Sequence, residues 1–284
     1  MKKFLLVIFT MPVYLQFAQA QWHLDLFGGI ANYSGDLQSK SFTTQQSNGG
    51  AGVALRYDLN GHFSLLSGLN YGKLGASDQF SQEADLRARN LSFETNIFEW
   101  NLMAEYDLFD ISEKRFTPYA FAGFAIFHFN PYAYDTSGQK VYLRPLSTEG
   151  EGLPQYPDRK PYSLIQPAIP FGGGIKFRVT SNVTIAYEVS FRKLFTDYLD
   201  DVSTTYVDKN ILLQERGPLA VEMAYRGNEI KGGDPDYPAA GSIRGDPKHK
   251  DWYYFSGIKV SVGLGKIRNT LNRKGVIDCP KKVT

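Results

Sequence analysis

A single cysteine, Cys279, stands among 284 residues. That excludes a disulfide framework and any zinc site built from cysteines. Histidine is scarce, with four in all, and no His-x-x-x-His pair offers itself to a metal. Net charge is nearly absent, at +2. No dense Lys/Arg run supplies a footprint for nucleic acid, so no nucleic-acid partner is expected. Long apolar runs are missing beyond the first twenty residues, and mean hydropathy is slightly negative. A bundle of transmembrane helices is therefore excluded. Disorder is excluded too, because 43% of the chain is hydrophobic and the charges balance. None of these absences counts against a membrane β-barrel, whose alternating strands average out. What is plentiful leans that way, with 18 Tyr, 20 Phe and 27 Gly.

Residues 1–20 read as a secretory signal peptide. Lys2 and Lys3 form the charged start, Phe4 to Tyr14 a short apolar run, and Ala18-Gln19-Ala20 the small-x-small cleavage pattern. Cleavage is expected after Ala20, and the run is shorter than the ~20 residues of a membrane anchor. Without the two lysines the mature chain carries 29 basic against 29 acidic residues.

Beyond the signal, apolar residues recur with period two. From Asn182 to Arg192, Val183, Ile185, Tyr187, Val189 and Phe191 share one face; Thr184, Ala186, Glu188, Ser190 and Arg192 share the other. Such alternation belongs to strands, not helices. Eight segments qualify: Trp22–Ala31, Gly50–Asp58, His62–Lys73, Leu91–Leu108, Thr117–Asn130, Pro167–Val179, Asn182–Lys193 and Trp252–Lys266. Most have the ~9–11 residues that cross a bilayer on a tilt. Short connections follow strands two, four and six; long ones follow strands one, three, five and seven. That pattern predicts an all-β fold, an eight-stranded antiparallel transmembrane β-barrel over residues 21–266. Periplasmic turns should be short and extracellular loops long, with a periplasmic tail over 267–284. Both termini then face the periplasm. The expected location is the outer membrane, with its lipid as a partner. A secreted soluble β-protein is the alternative.

The faces rich in Val, Ile, Phe and Tyr are expected to meet lipid. Arg56, Glu99, Glu105, Lys176, Arg178, Glu188, Arg192 and Lys259 lie on opposite faces and should form a charge network inside the lumen. An eight-stranded barrel is just wide enough for its side chains to fill it, so no open channel is expected. Trp22, Phe63, Tyr71, Trp100, Tyr106, Tyr119, Phe127, Phe129, Trp252 and Tyr254 sit near proposed strand ends, as interfacial girdles do. Phe124 and Ile126 alternate out of phase with Tyr119, Phe121 and Phe127. Gly172-Gly173-Gly174 marks a bulge, a bend or close packing. The stretches Asn130–Gln166 and Gly227–Asp251 have Pro- and Gly-rich loop compositions and should be functional or mobile.

Catalysis finds little support. His128, His249, Asp197, Asp200, Asp201 and Ser203 are candidates, but no nucleophile motif joins them; no enzyme activity and no cofactor are expected. Asp197, Asp200, Asp201 and Asp208 lack calcium-loop spacing and read as a solvated loop, or as partners for Arg192 and Lys193. Cys279 is an odd thiol in an exported chain, either unpaired or disulfide-bonded to another protein.

Two stretches carry a family pattern. One is Tyr33-Ser34-Gly35-Asp36-Leu37. The other runs from Phe191 through Arg192, Lys193, Asp197, Tyr198, Asp200 and Asp201 to Ser203. With the signal, the eight strands and the Cys-Pro-Lys tail, the chain resembles the PorG-like outer-membrane barrels of Bacteroidota. The resemblance implies a component of the type IX secretion system that accompanies a periplasmic ring lipoprotein and its partner. It implies no catalytic residues. A filled barrel is too narrow for folded cargo, so an anchoring role is expected. Lys266, Arg268, Arg273, Lys274 and Cys279 are the candidate docking residues. A barrel that binds an external ligand through its loops, or a small-solute porin, is the alternative.

Overall fold

A computed structural model describes residues 22–38, 46–231 and 233–264. The expected signal peptide lies outside the described residues. So does the tail, with Lys266, Arg268, Arg273, Lys274 and Cys279. The strands are β1 (Trp22–Ser34), β2 (Asn48–Asp58), β3 (Phe63–Ser77), β4 (Ser92–Asp107), β5 (Phe116–His128), β6 (Tyr132–Tyr134), β7 (Lys140–Tyr142), β8 (Ile165–Arg178), β9 (Val183–Leu194) and β10 (Trp252–Gly263). The short β6 and β7 form a hairpin within a loop. The other eight close into a barrel in the order β1-β2-β3-β4-β5-β8-β9-β10. Closure comes from β1 against β10, which pair antiparallel from His23↔Gly263 to Ser34↔Trp252. The eight expected segments are these eight strands, with ends shifted by a few residues.

β4 shows why the chain takes this form. Phe93, Thr95, Ile97, Glu99, Asn101, Met103, Glu105 and Asp107 are buried, while Phe98, Trp100, Leu102, Ala104 and Tyr106 between them are exposed. A period of two gives a strand one wet or filled face and one apolar face. Around the barrel, Leu26, Val53, Leu55, Leu65, Leu69, Phe124, Ile126, Ile175, Ile185 and Ile258 continue the exposed apolar face. The belt meets charge only at its upper edge, at Lys193 and at the ion pair of Lys73 with Glu94 at 2.7 Å. An uninterrupted apolar belt on a closed barrel is the surface that hydrocarbon requires.

Part of the expected girdle lies elsewhere. Tyr119, Phe127 and Phe129 are buried inside the molecule, and Tyr254 is covered by Asn32 and Phe191. The phase of β5 is nevertheless unbroken: its odd residues point inward and its even residues outward, so aromatics occupy both faces. Gly172-Gly173-Gly174 makes this possible. The triplet keeps regular register with both β5 and β9, so it is neither a bulge nor a bend. A Cβ on Gly172 would collide with the Val189 carbonyl and lie 2.9 Å from the Phe121 ring, and one on Gly174 would collide with the Tyr187 carbonyl and lie 3.0 Å from the Tyr119 ring. The glycines are the space into which those rings pack.

The turns 59–62, 108–115 and 179–182 lie at one end, with the start of β1 and the end of β10. The described parts of the long connections, 35–38, 46–47, 78–91, 129–164, 195–231 and 233–251, lie at the other. They carry α1 (Ala84–Arg89), α2 (Lys209–Arg216) and α3 (Pro218–Ala224). Leu153, Val207, Leu212, Ala220 and Ala224 give them a small core of their own. The Gly174→Val variant should lose about 1–3 kcal/mol of stability by crowding the Tyr187 carbonyl and displacing Tyr119. Urea unfolding in detergent, followed by tryptophan fluorescence, measures it; an unchanged midpoint would remove the packing role.

Candidate functional site

The lumen is filled by charge. Lys176 donates to Glu105 and, at 2.7 and 2.9 Å, to Asp107. Lys259 bonds Glu188, and lies 3.2 Å from Glu105. Arg56 lies 3.4 Å from Glu105 and 3.6 Å from Asp25. Above them, Arg192 grips Glu99 with two parallel bonds of 2.8 and 2.9 Å. Glu99 also accepts from Tyr253 at 2.6 Å and from Asn70 at 2.8 Å. Tyr119 donates to Glu188 at 2.8 Å, with both lysines over its ring. Such pairing is what makes charge tolerable away from water, although both Asp25 carboxylate oxygens and Arg56 Nε make no hydrogen bond. The lumen void beside Asp25 and Arg192 measures about 30 Å³, which is room for about one water rather than a pathway.

The expected lumen residues Arg56, Glu99, Glu105, Lys176, Glu188, Arg192 and Lys259 all belong to this network. Arg178 does not. It is partly exposed at the turn end and donates to the Ser112 carbonyl. Asp25, Asn70, Asp107, Tyr119 and Tyr253 were missed. Asp25 and Asp107 close their strands' inward alternation and could have been found from it. The tyrosines could not, because a Tyr on either face reads the same.

The four long connections form a dome over the open end. Its pins are two buried arginines. Arg89 pairs with Asp78 through two 2.8 Å bonds and reaches the carbonyls of Asp36 and Arg244. Arg244 pairs with Glu149 at 2.9 Å and donates to Asp201 O at 2.7 Å. Glu149 in turn accepts from the Ser203 and Thr204 amides at 3.0 and 2.9 Å. All four loops are thereby tied together. Neither arginine stood out in the sequence, because loops carry no periodicity to mark an inward side chain.

The two family motifs meet here. Tyr33 donates to Asp200 at 2.6 Å and lies 3.0 Å from Asp251. One hydroxyl proton cannot fully serve two carboxylates, and burial, together with repulsion from neighbouring carboxylates, raises Asp200 and Asp251 well above the usual carboxylate range. Gly35 passes so close to Asp251 and the Tyr33 ring that a side chain there would collide with both. Asp36 accepts from the Asp246 amide at 3.0 Å. Tyr198 stacks on Tyr162 at 4.9 Å. Asp201 accepts from Thr148 and Tyr162, each at 2.6 Å, with a backbone φ of 67°. Lys193 points outward, on the same face of β9 as Phe191, and Phe195 is exposed.

These placements correct two expectations. Asp197, Asp200 and Asp201 are buried, not solvated, and they bond dome residues instead of Arg192 or Lys193. Asp208 caps α2 by accepting from Asn210 and Ile211. The catalytic candidates are also dispersed. His128 lies on the outer face, His249 pairs with Asp246 in solvent, and Ser203 donates to Asp197. The described residues contain no grouping of His, Cys, Asp and Glu suited to a metal.

A family model described as a domain of unknown function (DUF6089) matches residues 2–214. No curated protein matches the chain. Among solved structures the chain is similar to Neisserial surface protein A (NspA). Identity is 9%, coverage 86% of this chain and 97% of that one, and TM-score 0.43. It is similar to a major outer membrane protein from Thermus thermophilus, with 10% identity, 86% and 99% coverage and a TM-score of 0.41. It is similar also to the N-terminal β-barrel domain of OprF from Pseudomonas aeruginosa, with 11% identity, 87% and 100% coverage and a TM-score of 0.36. These likenesses are distant; the closed barrel rests on the strand pairings themselves.

Burial sets the protonation of the dome. Burial, then the charges of Asp197 and Glu149, push Asp36 up to about 7 against the pull of the Asp246 amide and Arg89. Burial raises Asp197 to about 6, and raises Asp201 to about 6 despite Arg244. Burial and the Asp201 charge raise Glu151 to about 8. In the unfolded loops these carboxyls ionise near pH 4. The folded dome therefore holds protons that the unfolded loops release. Stability from this source is complete below about pH 4 and fades as pH rises through 6 to 8. Protease nicking of the dome should be several-fold slower at pH 5 than at pH 8, and Asp36→Asn should narrow the gap. Equal rates at both pH values would refute the burial effect. In the lumen, Glu105→Gln removes the carboxylate that Lys176, Lys259 and Arg56 share, leaving them Asp107, Glu188 and Asp25, and should cost about 1–3 kcal/mol, read from urea unfolding in detergent.

Proposed function

The chain belongs to the DUF6089 family, and from its structure we propose a non-enzymatic outer-membrane barrel that anchors secretion machinery rather than conducting solutes. One observation carries this reading: the lumen is filled by interlocked ion pairs around a void of about 30 Å³. A barrel that passes nothing must act through its ends. The apolar belt supports a place in an outer membrane, where a helix-free span must be a closed barrel. The turn end, where β1 begins and β10 ends, is then periplasmic, and the dome faces outward.

The finer reading rests on the family motifs. Their resemblance to PorG-like barrels supports a role in the type IX secretion system, holding a periplasmic ring lipoprotein and its partner at the membrane. The basic tail with Lys266, Arg268, Arg273, Lys274 and Cys279 is the docking element in this reading. Binding of an external ligand through the loops is the second reading, favoured by a folded dome in place of loose connections.

Co-purification from outer membranes tests the anchor. The full chain should bring down the ring lipoprotein, and truncation after Lys266 should abolish capture while the barrel still inserts. A Cys279→Ser variant separates a disulfide from charge-based docking. Capture unchanged by truncation, or no ring protein at all, would sink the anchoring role. Liposomes carrying the protein should swell no faster than empty ones; solute-dependent swelling would restore the porin.

A further inference from the structure

The outer flank of the dome, just above the apolar belt, is cut by a cleft of about 470 Å³. Its volume lies within the range of ligand sites. The side chains of Gln46, Asn48, Gln79 and Asn90 line it, and the rings of Phe80 and Tyr134 stand at its edge. A second cleft of about 340 Å³ adjoins it at Glu229 and continues past Tyr225 and Tyr237. The two together make one track, amide-lined at one end and tyrosine-lined at the other. It is not part of the lumen, and the anchoring role makes no use of it.

The polar groups of this track are held in place. Gln46 Oε1 accepts from the Ser77 amide at 2.6 Å, Asn48 Nδ2 donates to Gln46 O at 3.3 Å, and Asn90 Nδ2 donates to Arg226 O at 3.0 Å. Each bond fixes one half of an amide and leaves the other half, a donor or an acceptor, to a ligand. The charges at the amide end are already engaged, while Lys209 stands exposed at the tyrosine end. Arg226 is closed on Glu229 by bonds of 2.8 and 2.9 Å, and Glu94 is held by Lys73 and Tyr132. The site therefore offers neutral, directional hydrogen bonding beside exposed ring faces. Phe80 is 50% exposed and Tyr134 45%, a cost that a ligand covering them would relieve.

Among common ligands, a sugar ring has this chemistry. Its edge carries hydroxyls that donate and accept at once, as the two halves of an amide do. Its face carries C–H groups that pack on an aromatic ring. A phosphate or sulfate would meet no free cation at the amides among the described residues. An added peptide strand would need a long open sheet edge, but β6, which supplies Tyr134, is three residues long, paired with β7 throughout and with β4 at Tyr132. We propose that this track on the dome binds a neutral glycan, carried either by a glycolipid of the outer leaflet or by a free polysaccharide.

The test uses the full chain purified in detergent. One arm titrates neutral gluco-, manno-, galacto- and xylo-oligosaccharides. A second arm titrates the deacylated core oligosaccharide released from the host's own outer-membrane glycolipid. Calorimetry should detect binding in at least one arm. Phe80→Ala and Tyr134→Ala should each weaken it about tenfold. Gln79→Ala, at an exposed side chain, should weaken it without touching a ring. Heat-modifiable gel migration checks that each barrel remains folded. Binding of the core alone assigns the glycolipid source, and binding of the free oligosaccharides alone assigns the polysaccharide. Absence of binding in both arms at roughly 10 mM, which is weaker than a single-ring contact should give, overturns the proposal. So does binding that survives the Phe80→Ala, Tyr134→Ala double variant, or a site that responds only to sulfated sugars or peptides.

Discussion

Every backbone N–H and C=O in a hydrocarbon layer must find a partner in the chain itself, because no water is there to supply one. The pairing of β1 with β10 meets that demand for this protein and leaves no edge. The rest follows from closure. Eight strands enclose a cylinder about as wide as the side chains that point into it. The outward residues are held to an apolar vocabulary, and the inward ones must fill the space and satisfy one another.

The inward residues do this with charge. Buried ion pairs return little net stability, since desolvation offsets attraction, but an unpaired member is severely costly. The network therefore acts as a specification. Glu105 has three cations around it, and Glu99 has one arginine, one tyrosine and two amides. Removal of Glu105 or Glu99 would loosen several partners at once. A lumen so filled leaves no pathway in this structure, which is why the two ends of the barrel are the places to look for function.

The ends are built differently. At the turn end the strands reverse in a few residues. At the loop end four connections fold over one another, pinned by Arg89 and Arg244 and sealed by a group of buried acids around Tyr33. The pinned dome holds its flank in one shape. Preorganised amides and exposed rings can persist there without rearranging when a ligand arrives.

The alternation of Val183 to Arg192, and of the strand from Trp252, was enough to place strands, faces and strand number. Period two is a local property, and a strand's two environments write it directly into the chain. The same alternation placed seven lumen charges, and failed for Arg178 only because a strand end leaves the lumen before the alternation stops. It failed for Tyr119 and Phe127, whose inward direction depends on the room left by Gly172 and Gly174 on a neighbouring strand. The loops were opaque for a deeper reason. Asp200 and Asp201 look solvated in any linear reading, and only folding sets Tyr33, Asp251, Thr148 and Tyr162 around them. The sequence alone therefore determined the barrel, its faces and its ends. The tertiary structure decided the dome, the burial of its acids and the cleft on its flank, because those depend on contacts between residues as far apart as Tyr33 and Asp251.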